Sequence, residues 1–459
     1  MAGKLNLYDI GGGGVNLVKS PLQLADNEAT QLQNAEYNRD GVAGGTGSLS
    51  KRGGLSKLNS SALAGAVYGM VGLNLKTTYT RTLYAARGDE DTNSFMTSTD
   101  GATWADTATP LDPINLDFHT TLDGEFVARR IASFRNYLIY AGFDYVQNTD
   151  KPVINLWDGT TGTEIYEVPF GPSATASTPA IVITDFLVAN GTVYFAVHDP
   201  TADSGPSYAG RVLALDLETG IIKQIANPFG DGTNEVDNGY PSCLAFYHNQ
   251  LFVGLNSGGT TDGIGEVVRC YPDLDTTWTV DVSNLSGNPV SLAVYKGDLY
   301  AGLKSSASTA GRVSKRTAST GAWTTSFTSS GGANGEAQIA SLTVFGDLLF
   351  GIDWFDDVTD SGAAVLVHII RYDGSSWNTD RDVDANDSMA VADSGVGAQR
   401  PGGMAILNSK LYVVFSATAS NTADGFILER STSDSGNGSW TVVKRDNFAG
   451  PIAVLVTRS

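Results

Sequence analysis

The side chains with the right types for chemistry are few and poorly spaced for it. His119, His198, His248 and His368 stand at least 50 residues apart and fall on different kinds of strand or turn, so they predict no shared zinc site. Cys243 and Cys270 lack metal-ligand spacing and are too few for a disulfide scaffold. Asp380, Asp382, Asp384 and Asp387 mimic a calcium loop. Ala385, however, stands where the loop needs glycine and Val391 where it needs its closing glutamate. These aspartates, and Asp353, Asp356, Asp357 and Asp360, read as solvated loops. No Gly-x-Ser-x-Gly elbow, complete Gly-x-Gly-x-x-Gly or Walker-type lysine loop occurs. Carboxylates are abundant, but no pair stands out as the acid and base of glycoside hydrolysis. The residues predict no enzyme, no cofactor and no metal.

One segment comes closer. Ser98-Thr99-Asp100-Gly101-Ala102-Thr103-Trp104 resembles the Asp-box of sialidases and related propellers, one residue short between Asp and Trp. Ser433 to Trp440 is one residue too long. Even intact, that box stabilises a turn: Asp accepts backbone N–H groups and Trp packs between sheets. Sialidase chemistry also needs arginines converging from different blades, whereas Arg129, Arg130 and Arg135 fall in one.

The elements that would position these residues form a repeat. Leu or Val followed by aromatic and small residues recurs at Leu83, Leu138, Val193, Leu251, Leu299, Leu348 and Leu411, one unit roughly every 55 residues. A strand precedes the marker, as in Ser242-Cys243-Leu244-Ala245-Phe246-Tyr247, and tight turns such as His248-Asn249 and Lys296-Gly297 join the two. A third strand follows a variable loop, and a polar turn ending in Trp104, Trp278, Trp323, Trp377 or Trp440 announces a fourth. No 3.6-residue apolar period persists inside these units. The pattern predicts an all-β fold: a seven-bladed β-propeller of four-stranded antiparallel blades over residues 63–459, with tandem β-sandwiches as the runner-up. Cys243 and Cys270 then lie two strands apart, about 9.5 Å and too far for a disulfide, which predicts two reduced thiols. Residues 451–456 read as one strand too many, since Val67–Val71 already opens the first unit. That strand closes the ring or adds an edge.

With 53 glycines among 459 residues and 41% hydrophobic residues, the chain is turn-rich and globular. No apolar run is long enough to span a membrane, and residues 1–9 lack the apolar core of a secretory signal, which predicts synthesis in a cytoplasm. The formal net charge is -20. Residues 1–62 carry +1 and the remainder -21, without the lysine and arginine clusters that nucleic-acid binding requires.

Residues 1–62 lack the repeat and carry a four-glycine run, Gly11 to Gly14, which predicts an extended arm without a core of its own. Leu22 to Asn34 predicts a short helix within it. The arm reads Gly13-Gly14-Val15-Asn16-Leu17, Ser20-Pro21-Leu22-Gln23-Leu24, Asp26-Asn27-Glu28-Ala29, Gln33-Asn34, then Gly47-Ser48-Leu49-Ser50-Lys51-Arg52-Gly53-Gly54. That order resembles the N-terminal arm of tailed-bacteriophage virion proteins carrying a β-propeller, the nozzle (tail tubular protein B) proteins among them. The resemblance implies a structural virion protein made in the host cytoplasm. Its partners would be tail, neck, portal-adaptor or capsid subunits and further copies of itself. It implies docking through Val15, Asn16, Leu17, Pro21, Leu22, Leu24, Asn34, Leu49, Lys51 and Arg52. Lys51 and Arg52 offer charge-assisted bonds to a partner's carboxylates. They fit a solvated turn, or a contact with the chain's own acidic part, equally well. The alternative function is a receptor- or glycan-binding propeller on the virion surface using loop aromatics such as Tyr208, Tyr240, Trp354 and Phe355, and behind it a carbohydrate-active enzyme, which would need an acidic pair facing one pocket.

Overall fold

The computed structural model describes residues 35–38, 48–51, 82–88, 93–106, 131–134, 137–144, 151–157, 162–167, 182–198, 210–216, 220–229, 239–256, 264–305, 310–329, 337–357, 364–383, 400–416, 425–431, 439–446 and 455–458. The chain divides into two compact units, Met1–Tyr79 and Thr80–Ser459. In the first, β1 (Ala35–Asn38) pairs antiparallel with β2 (Ser48–Lys51), setting Tyr37 opposite Leu49 and Ala35 opposite Lys51. Leu49 and Lys51 are therefore on a strand. Val15, Asn16, Leu17, Pro21, Leu22, Leu24, Asn34 and Arg52, together with the expected helix at 22–34, lie outside the described residues.

The second unit is a series of antiparallel meanders, and among the described residues it contains no helix. The first sheet holds β3 (Thr82–Gly88), β4 (Asn93–Ser98) and β5 (Ala105–Asp106). Next come β6 (Ile131–Phe134), β7 (Tyr137–Asp144), β8 (Lys151–Trp157) and β9 (Gly162–Glu167). They are followed by β10 (Val182–Ala189), β11 (Thr192–His198), β12 (Gly210–Asp216) and β13 (Ile222–Phe229). The fourth group is β14 (Tyr240–Tyr247), β15 (Gln250–Asn256), β16 (Ile264–Cys270) and β17 (Thr279–Ser286). The fifth is β18 (Asn288–Tyr295), β19 (Asp298–Ser305), β20 (Arg312–Arg316) and β21 (Trp323–Thr328). The sixth is β22 (Ala337–Phe345), β23 (Leu348–Asp357), β24 (Ala364–Tyr372) and β25 (Trp377–Val383). Last are β26 (Arg400–Leu407), β27 (Lys410–Ser416), β28 (Gly425–Arg430), β29 (Trp440–Asp446) and the terminal β30 (Leu455–Arg458).

β30 pairs with β3 and supplies the first strand of the sheet β30-β3-β4-β5. The fifth and sixth groups join at one point, where Lys304 and Ser305 of β19 pair with Gln338 and Ala337 of β22. The Val67–Val71 strand expected from the sequence lies outside the described residues.

Each marker segment is the second strand of its sheet. It is buried on both faces: Leu251, Phe252 and Val253 have no exposed surface. That double burial explains the unbroken apolar run. The outermost β17 is mostly exposed and polar. Two-residue turns join first and second strands with left-handed backbone at both positions: Asn190-Gly191, His248-Asn249, Lys296-Gly297 and Asn408-Ser409.

First strands lie against one another in order, β6 on β10, β10 on β14, β14 on β18, β18 on β22, β22 on β26, β26 on β30 and β30 on β6. Bulges near their starts turn hydroxyls toward the next sheet. Thr184 Oγ1 donates to the Pro241 carbonyl at 2.6 Å, and Ser242 Oγ to that of Pro289 at 2.6 Å. Small antiparallel sheets packed face to face around their first strands make a propeller-like all-β fold.

Candidate functional site

The Asp100 turn is structural. Asp100 Oδ1 accepts the N–H groups of Thr103 at 2.7 Å and Ala102 at 2.8 Å, and Trp104 Nε1 donates to the Gly101 carbonyl at 3.1 Å. Those bonds, Thr103's backbone N–H first, hold the carboxylate well below the usual range. Asp373 builds the same turn with Ser375 and Ser376 ahead of Trp377.

The expected solvated aspartates at 380 and 353 are buried, which corrects that reading. Asp380 on β25 has no exposed side-chain surface. It holds Arg371 Nε of its own sheet at 2.7 Å. From the next sheet it takes Arg430 Nε at 2.8 Å and the Trp440 indole N–H at 2.7 Å. Arg430 lies over the Phe350 ring, 5.1 Å from its centroid. Asp281 on β17 repeats the arrangement with Arg269 at 2.9 Å, Arg316 at 2.6 Å and Trp323 Nε1 at 2.6 Å. Each carboxylate finds three donors, which is what a buried ion requires.

Asp353, only 1% exposed, accepts the Ser329 hydroxyl at 2.7 Å. His368 Nδ1 lies 3.7 Å from it, with Asp382 3.5 Å from Nε2. Register explains the trio, because His368 is paired with Asp353 on one side and Asp382 on the other. The one hydroxyl proton of Ser329 goes to the carboxylate rather than to the imidazole, so this is no nucleophile–base pair of the serine–histidine kind.

Strand ends of the β10–β13 and β14–β17 sheets also carry buried polar residues that sequence reasoning missed. His198 stacks on Tyr240 with ring centroids 3.7 Å apart, and Asn256 Nδ2 donates to the Tyr240 hydroxyl at 2.8 Å. Burial pushes the His198 imidazole down to about 3. Tyr240 and Trp354 are thus core residues, which corrects their reading as exposed loop aromatics. Tyr208 and the Phe355 side chain lie outside the described residues. Cys243 and Cys270 are buried thiols outside any disulfide, on the first and third strands of one sheet.

A cleft of about 280 Å³ opens between the β10–β13 and β14–β17 sheets, at the end carrying the two-residue turns. Its floor includes Tyr194 and Phe246, whose rings stack with centroids 6.2 Å apart and 25° between planes. Asn190 and Asn249 border it from opposite sheets. Lys223 Nζ crosses it to Asp273 Oδ1 at 2.7 Å and the Pro272 carbonyl at 3.2 Å. Tyr271 and the 80%-exposed Leu274 complete the rim. The signal in sequence was the pair of asparagines one unit apart in equivalent turns; nothing there joined them to residues 271–274.

Among the described residues, no three His, Cys, Asp or Glu side chains gather as metal ligands, and no helix is long and apolar enough to cross a membrane.

No family model and no curated protein matches the sequence. Solved structures similar to it include an α-L-arabinofuranosidase from Clostridium thermocellum. It is 10% identical with a TM-score of 0.33, covering 60% of this chain and 97% of that one. Another is the Bacillus subtilis arabinanase, 15% identical with a TM-score of 0.30, covering 53% of this chain and 91% of that one. A third is TolB from Acinetobacter baumannii, 12% identical with a TM-score of 0.38, covering 82% of each chain. The expectation of no enzyme is corrected by the first two, since the architecture read as non-enzymatic is one that enzymes also use. The chain's own small antiparallel sheets make its fold all-β and propeller-like.

Proposed function

We propose that the chain is a structural component of a tailed-phage virion, made in the host cytoplasm and stationed in the tail or neck. In this reading the second unit is a closed seven-bladed ring and residues 1–62 are an arm that docks on neighbouring subunits. Supporting the ring is the succession of first strands, which passes from β6 through β26 to β30 and returns to β6. The observation that carries the reading is the origin of the closing strand. Residues 455–458 complete the first sheet on β3. In this reading, closure by residues 455–458 leaves the arm's sequence available for other subunits.

The arm supplies Val15, Leu17, Leu22 and Leu24 as apolar contacts, Pro21 as a fixed bend, Asn16 and Asn34 as backbone partners, and Leu49, Lys51 and Arg52 at its end. Those partners are tail, neck, portal-adaptor or capsid subunits, with other copies of the chain beside them. Deleting residues 1–62 tests this. The shortened protein is expected to stay soluble, keep its β-sheet circular dichroism and fail to enter particles. Normal incorporation of the truncated chain would sink the reading.

A further inference from the structure

The lining of the cleft between the β10–β13 and β14–β17 sheets selects a chemical class. Phosphate or sulfate needs surplus cations, but Lys223 is committed to Asp273 and the Pro272 carbonyl. A lipid or wholly apolar ligand needs a dry pocket. This one is open, with Asn190, Asn249, Lys223 and Asp273 on its borders. What remains is a neutral molecule with one apolar face and many hydroxyls.

The floor and rim match that description. Tyr194 and Phe246, stacked on each other, line the base of the cleft with aromatic carbon that the C–H groups of a pyranose ring can meet. The two carboxamides each offer donors and an acceptor, and the Lys223–Asp273 pair places an N–H donor beside a carboxylate acceptor, suited to adjacent hydroxyls. Turn geometry alone does not demand asparagine, since Lys296-Gly297 makes the same left-handed turn with glycine. Tyr271 at 42% and Leu274 at 80% exposure are apolar surface the fold leaves uncovered beside the cleft. We infer that this cleft binds a neutral carbohydrate, with one ring in the cleft lined by Tyr194 and Phe246 and further rings along the exposed Tyr271 and Leu274. The inference goes beyond the virion reading and does not depend on it.

The test uses the full chain and free glucose, galactose, mannose and N-acetylglucosamine, each as monosaccharide and trisaccharide, read by saturation-transfer NMR and calorimetry. At least one sugar is expected to bind saturably, its trisaccharide more tightly, with Kd at or below about 1 mM. Asn249→Gly keeps a residue suited to the left-handed turn, and Tyr271→Ser changes an exposed side chain. Each is expected to weaken binding about tenfold without moving the melting temperature. Absence of binding by every sugar overturns the assignment, as does unchanged affinity in both variants. Preference for glucose 6-phosphate over glucose, or equal binding of N-acetyl-leucinamide, also overturns it. None of these outcomes bears on whether the arm-deleted chain enters particles.

Discussion

The indole N–H of Trp440 reaches across to the preceding sheet and donates to Asp380 Oδ2 at 2.7 Å. Trp323 does the same to Asp281 at 2.6 Å, and Trp377 to the Ser326 hydroxyl at 3.0 Å. In every case the acceptor is the third residue after its own sheet's tryptophan: Trp278 and Asp281, Trp323 and Ser326, Trp377 and Asp380. Trp440 is followed at that place by Val443, and Trp104 of the first sheet donates to its own Gly101 carbonyl instead. Val443 and Trp104 pack against one apolar cluster. The rule thus runs from sheet to sheet, and its polar form appears only where an acceptor is present.

Asp380→Ala is expected to destabilise the fold by about 3–5 kcal/mol, because Arg430, wholly buried, loses its carboxylate. Asp281→Ala is expected to do less, since Arg269 is 30% exposed and regains water. Thermal melts of the two variants check the order; equal losses would refute the role of burial.

Trp440→Phe and Trp377→Phe separate the ring from its hydrogen bond. The first gives up a bond to an ionised acceptor, about 1.5–3 kcal/mol, and the second a bond to a hydroxyl, about 1 kcal/mol. Denaturant midpoints of both variants against the parent chain measure the difference.

His198 makes the fold sensitive to acid. In the unfolded chain it takes a proton near its ordinary 6.5, but in the folded chain only near about 3. Between those values the unfolded chain binds more protons, so stability rises with pH and is fully present above about 6.5. Each pH unit lost within that window removes up to about 1.4 kcal/mol. His198→Phe keeps a ring on Tyr240 and removes the proton, so its melting temperature is expected to fall less between pH 6.5 and pH 4.

Neither thiol is expected to react with an aromatic disulfide reagent at pH 8 until denaturant is added. Burial pushes Cys270 up to about 12, and Cys243 is 2% exposed. Rapid labelling of the native protein would contradict the packing of the β14–β17 sheet.

Gly101 sits at φ +81°, and a Cβ there would fall 1.9 Å from the Tyr412 hydroxyl oxygen. Gly101→Ala is therefore expected to destabilise by more than the ~1 kcal/mol of the backbone effect alone, measured as a lowered melting temperature.

Local chemistry left clear marks in the sequence. An unbroken Leu-Phe-Val run needs burial on both faces, paired turn residues need positive φ, and a tryptophan after a polar turn opens an outer strand. Each depends on a few adjacent residues, so the second strands and the turns were legible, and the strand order they imply kept the two cysteines out of a disulfide. What a side chain meets across a sheet interface was not. Asp380 and Asp382 are two residues apart and look alike in sequence. One is buried between two arginines and an indole; the other is 65% exposed on its side chain. Tyr240 and Trp354 look like loop aromatics because Asp, Asn or Gly residues stand close by in sequence, but in the fold Tyr240 stacks on His198 and Trp354 packs in an apolar cluster with Phe350 and Val367. The cleft and the pairing of residues 455–458 with β3 likewise join segments far apart in the chain. Strand and turn preferences act over a few residues. Burial, ion pairing and pocket shape arise only where separate sheets meet, so the tertiary structure decided them.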